Sequence, residues 1–83
     1  MHEFSVAMEI CRIAEAQAAP RPASAIVSVG VEIGEGTDLV VENLNFCLET
    51  LLASPPFERA ALAVERVPGN DLRVAWLEVD DGR

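Results

Sequence analysis

Residues 25–33 read AIVSVGVEI, and the fold is decided by this stretch. Val27, Val29, Val31 and Ile33 alternate with Ser28, Gly30 and Glu32, the two-residue period of a strand with one buried face. Gly30, on the other face, weakens the strand locally or admits something close to the backbone. Upstream, from Glu3 to about Ala19, the period changes to that of a helix. Val6, Ala7, Ile10, Cys11, Ile13, Ala14 and Ala18 share one arc, with Gln17 a misfit on it. Pro20-Arg21-Pro22 ends this helix, because proline cannot continue it. Downstream, Gly34-Glu35-Gly36-Thr37-Asp38 reads as a turn-rich loop in which Thr37 or Asp38 can cap the next helix. No Walker lysine or GxGxxG accompanies the glycines, so they do not read as a phosphate cradle. Leu39 to Ala53 is a second helix with Val40, Val41, Leu44, Cys47, Leu48, Leu51 and Leu52 on one arc and Phe46 on the polar side. Ser54-Pro55-Pro56 stops it.

Two more strands follow. Ala60 to Val67 carries Leu62 and Val64 on one face. Leu72 to Val79 is apolar on both: Leu72, Val74 and Trp76 alternate with Ala75, Leu77 and Val79. Pro68-Gly69-Asn70-Asp71 between them is a tight turn, so these two strands are expected to pair as an antiparallel hairpin. The first and second strands flank a helix and are expected to run parallel by a right-handed crossover. The expected architecture is α+β, in the order α-β-α-β-β, with two helices on one face of a three-stranded mixed sheet. The other face is left partly bare, and Trp76 is a candidate to lie on it. A bare apolar face is an interface candidate, weakly joined by the exposed Phe46, and self-association is one expectation. Asp80-Asp81-Gly82-Arg83 reads as a polar, frayed tail.

The chain of 83 residues, half of them apolar, is read as one domain, 1–83, with a single core. The two cysteines, Cys11 and Cys47, sit among apolar residues without a CxxC or a Cys/His cluster, and read as buried, reduced thiols of a cytoplasmic protein. The net charge of −8 argues against nucleic acid and anionic membrane surfaces as partners and suits a cation or a basic protein. No signal peptide or membrane span is legible. The single histidine lies at residue 2, so no Ser/His/Asp or Cys/His nucleophile set exists and the chain does not read as an enzyme. Glu32 with Glu35 and Asp80 with Asp81 read as solvated surface.

That histidine stands in Met1-His2-Glu3. The Met1 amine, the backbone nitrogens of His2 and Glu3, and the His2 imidazole can close around one ion. Four nitrogens in a plane suit Ni(II) or Cu(II) better than zinc, which prefers a tetrahedral site. The bulk of His2 should protect Met1 from removal. The helix N-terminus disfavours a cation, and metal binding is expected to unwind the first turn.

The start MHEFSVAMEI, the segment VGVEIGEGTDLVVENLNFCLE, the later ERAALAVERVPG and the end LRVAWLEVDDG together resemble the HypA/HybF-type nickel-insertion proteins that serve hydrogenase maturation. Met1-His2-Glu3 and the VxIGE run ending at Glu35 are the most specific parts. The resemblance implies nickel held by the N-terminal histidine and neighbouring amides, tuned by Glu3, and handed to a hydrogenase large subunit with a partner GTPase. Some members add an acid near the start of the second helix; the matching place here is Val40, with Asp38 and Glu42 nearby. Members also insert a segment with two CxxC pairs, a structural zinc site, between the second and third strands. Pro68-Gly69-Asn70-Asp71 occupies that place here, so neither a zinc ribbon nor structural zinc is expected. The expected function is that of a nickel metallochaperone-like protein. A metal-independent adaptor that docks a maturation partner is the alternative, and a Cu(II) scavenger a third reading, since Cu(II) outranks Ni(II) at most nitrogen sites.

Overall fold

The computed structural model describes residues 2–80. Its elements are helix α1 (Glu3–Ala18), a single 3-10 turn (Ala23–Ala25), strand β1 (Ile26–Gly34), helix α2 (Val41–Leu52), strand β2 (Ala61–Val67) and strand β3 (Leu72–Val79). The proline-bearing segments end both helices as expected, α1 at Ala18 and α2 at Leu52. The 80–83 tail is more ordered at its start than expected, since the Asp80 N–H donates to the Ala25 carbonyl at 2.8 Å. Residues 81–83 lie outside the described residues.

Both helices cover one face of the sheet, α1 against α2 and β3, and α2 against β2. Ala7, Ile10, Cys11 and Ala14 of α1 meet Ile26, Val29, Val31 and Ile33 of β1 and Leu44, Leu48 and Leu52 of α2 in one buried core. The alanines of α1 are what let it lie close, because small side chains at a contact shorten the distance between packed elements.

The sheet order is β2-β1-β3, with β2 parallel to β1 and β3 antiparallel to it. The parallel pair is as expected; the β2–β3 hairpin is not formed, because β1 lies between its two arms. Residues 68–71 arch over the end of β1 and are tied to it. Gly34 N–H donates to Asp71 O at 2.7 Å, Glu35 N–H to Val67 O at 2.8 Å and Gly36 N–H to Gly69 O at 2.8 Å. Such an approach requires a glycine in β1: a Cβ on Gly34 would stand 2.8 Å from both the amide nitrogen and the carbonyl oxygen of Asp71. The most apolar strand thereby gains two neighbours, while β2 and β3, each half-exposed along its length, take the edges.

Two irregularities set which side chains face the helices. The β1–β3 register shifts between Ile26 and Ser28 and again between Gly30 and Val31. At the first shift Val27, expected in the core, is exposed, and Ile26 is buried instead. At the second, Ala75 is the extra residue of β3, since Trp76 pairs with Gly30 and Val74 with Val31. A bulge of one residue reverses the face that follows. Leu72, Val74, Leu77 and Val79 therefore all turn to the core, and Arg73, Trp76 and Glu78 to the open face.

Candidate functional site

His2 is the N-cap residue of α1 and is exposed, and its imidazole makes no capping hydrogen bond. The first bond of the helix runs from Val6 N–H to His2 O at 2.9 Å. The amides of His2 and Glu3 precede that bond, in the part of a helix whose donors have no partner within it. Neither amide therefore takes part in the i to i−4 ladder of α1, although the Glu3 amide interacts with its own carboxylate.

Glu3 behaves differently from a solvent-facing ligand. It is buried, at 6% exposure, and its Oε2 accepts the backbone N–H of Val40 at 3.0 Å. Val40 is the N-cap residue of α2 and offers no polar side chain of its own. The carboxylate of α1's first residue therefore satisfies the N-cap amide of α2, the bond that the N3 residue makes in a capping box. Thr37, one of the two expected caps, instead closes its own loop, its hydroxyl donating to Gly34 O at 2.9 Å. The Val40 N–H holds the Glu3 carboxyl below the usual carboxylate range, its own amide and the charge of His2 add to this, and burial opposes it. A charged carboxylate thus sits beside His2 where two helix N-termini meet, and it offsets the positive potential that would repel a cation there. Glu42 adds a second carboxylate in the first turn of α2. Met1, the remaining member of the expected set, lies outside the described residues.

Among the described residues no group of three or more His, Cys, Asp or Glu side chains is placed to hold a metal ion. The two cysteines are free thiols, Cys11 buried and Cys47 half-buried. Burial, with the charge of Glu15, pushes the Cys11 thiol up to about 11, which makes it a packing group and a poor nucleophile.

The family profile described as hydrogenase/urease nickel incorporation, metallochaperone, hypA matches residues 1–72. The chain belongs to the HypA family. Its similarity to individual HypA proteins is of the same order throughout. It is 41% identical over 69 residues to the hydrogenase maturation factor HypA of Geobacter sulfurreducens, covering 83% of this chain and 60% of the relative. It is 40% identical over 70 residues to that of Azoarcus sp. strain BH72, covering 84% and 61%. It is 42% identical over 65 residues to that of Methanopyrus kandleri, covering 78% and 46%. The chain thus spans between about half and three fifths of the length of these HypA relatives. The HypA match ends at Leu72, directly after the turn that arches over β1, which is where the resemblance implies an insertion. By its description this is a family of metal carriers and not of catalysts.

No helix among the described residues is long and apolar enough to cross a membrane. The two weak interface candidates are both exposed, Phe46 at 69% and Trp76 at 48%, but they do not form one surface. Phe46 stands on the helical layer and Trp76 on the opposite, open face of the sheet. The role of Glu3 as the acceptor for α2 was not readable in sequence. Its partner is a backbone amide far along the chain, and the local sequence offered Thr37 and Asp38 as caps instead.

Proposed function

We propose that this chain is a nickel carrier for the maturation of a nickel enzyme such as a hydrogenase, binding Ni(II) at Met1-His2-Glu3. The observation that carries the reading is the end of the molecule where His2 is exposed beside a buried, charged Glu3, in a chain of the HypA family. The Met1 amine, the amides of His2 and Glu3, and the His2 imidazole make a four-nitrogen set suited to square-planar Ni(II). Glu3 is the positioning residue: its carboxylate fixes the first turn of α1 to the start of α2 and keeps negative charge next to the ligands. Deprotonation of the Glu3 amide withdraws one donor from that same carboxylate, so loading is felt at the Val40 contact. An exposed ligand such as His2 suits transfer to an acceptor such as a hydrogenase large subunit, with or without a GTPase. A docking adaptor that carries no metal is the alternative. It is favoured by Val40, which stands at 47% exposure at the place where the resemblance implies an acid in some members.

The test is a Ni(II) titration of the untagged chain near neutral pH, followed by visible absorption, beside His2→Ala. One equivalent with square-planar absorption, lost in the variant and on blocking the Met1 amine, is expected. Equal binding by both proteins, or none by either, would remove the site and leave the adaptor.

A further inference from the structure

The open face of the sheet has no role in nickel binding, yet it carries a built feature. Trp76 of β3 lies over Gly30 of β1, so close that a Cβ on Gly30 would collide with the indole. Ala63 of β2 is the register partner of Gly30 on the other side. Small residues on the central and far strands thus leave a shallow floor, and the indole lies across it with 48% of its surface exposed. Carboxylates flank the ring on both sides. One register row holds Ala61, Ser28 and Glu78, with the Ser28 hydroxyl donating to Glu78 at 3.0 Å. The other holds Glu65, Glu32 and Arg73, with Arg73 paired to Glu32 at 2.8 Å. The one cation among these groups is already engaged by Glu32, so the charge offered to solvent around Trp76 is negative.

We infer that this face docks a basic, extended segment of a partner protein, with an Arg or Lys side chain lying on the indole of Trp76 and neighbouring cations meeting Glu65 and Glu78. A cation over a tryptophan face is attracted by the ring quadrupole, and carboxylates on either side strengthen the local potential and select against acidic partners. A second copy of this chain is the poorer occupant. Its net charge is −8, and face-to-face pairing would bring like-charged rims together. The inference does not rest on nickel binding, because the face lies away from the helix N-termini that hold His2 and Glu3.

Trp76 is the only tryptophan, so its emission reports on this face directly. The experiment titrates the full chain with a capped Arg-Ser repeat peptide, using the Glu-Ser repeat of the same length as control. A saturable emission change with the basic peptide alone, weakened by added salt, is expected. The double substitution Glu65→Gln and Glu78→Gln should weaken binding roughly threefold to tenfold, the range of two solvent-exposed ion pairs. His2→Ala should bind the peptide as the parent does, which separates this result from the nickel titration. No saturable change, an equal response to the Glu-Ser peptide, or parent affinity in the double variant would overturn the inference. An emission change that tracks protein concentration without peptide, with a dimer in sedimentation, would overturn it in favour of self-association.

Discussion

Gly34→Ala tests the way the chain closes on itself. The glycine does not adopt the left-handed conformation, so the effect is one of space. The added Cβ would stand 2.8 Å from the Asp71 nitrogen and closer still to the Gly69 carbonyl oxygen. Both are backbone atoms, and neither can swing aside as a side chain can. Residues 68–71 must lift, and the hydrogen bonds from Gly34, Glu35 and Gly36 lengthen or break. At about 1 kcal/mol net for each bond, less the ~0.5–1 kcal/mol gained by replacing glycine inside a strand, the expected loss is about 2–2.5 kcal/mol. For a domain of this size that lowers the Tm by about 10–20 °C. Gly69→Ala provides the contrast. A Cβ there meets nothing within 4 Å, but φ is +107°, so only conformational strain of about 1–2 kcal/mol is expected. Urea unfolding followed by far-UV circular dichroism, at equal m-values, ranks the two. If Gly34→Ala stays within about 0.5 kcal/mol of the parent, the range of ordinary surface changes, or costs less than Gly69→Ala, the arch over β1 is not held as described.

Glu3→Gln keeps an acceptor for the Val40 N–H but removes the charge. The folded carboxyl is held below its ordinary value of 4.5, so its charge adds stability that is complete above the unfolded pKa and is lost as pH falls through the lowered folded value. The variant should therefore be less stable than the parent at pH 7, and the gap should close on acidification; a pH-independent gap in urea midpoints would assign the effect to shape alone. For the thiols, Cys11 should react with a disulfide reagent at neutral pH about a hundredfold more slowly than an ordinary free cysteine, because its pKa of about 11 leaves little thiolate. Two equally fast thiols in the folded chain would contradict its burial.

Element positions were legible because each rests on local periodicity and on prolines at the stops. All five long elements fall within two residues of the expected bounds, and Leu72–Val79 matches at both ends. Strand adjacency was not legible. Pro68-Gly69-Asn70-Asp71 does mark a reversal, but a reversal is compatible with two paired strands or with two strands astride a third, and no residue in the turn distinguishes them. The faces of β3 were open for a related reason. Strict alternation groups Trp76 with Leu72 and Val74, whereas the extra residue at Ala75 separates it from them. Gly30 was readable as a place of close approach, though not that an indole makes it. At the candidate site, His2 and Glu3 were singled out from their position and from the family pattern. The Glu3–Val40 contact joins residues 37 apart and leaves no mark on local sequence.

The position of β1 between two later strands also bears on how the chain is made. Both of its partners follow it, at residues 61–67 and 72–79. Until they emerge from the ribosome, a finished strand of valine and isoleucine has helices on one face but two bare edges. Bare edges are templates for pairing with other chains. The protection of β1 therefore arrives late and nearly all at once, when β2 and β3 close on it like the two jaws of a clip. A product cut short after α2 keeps the sticky centre without its guards, and aggregation in place of partial function is its expected fate.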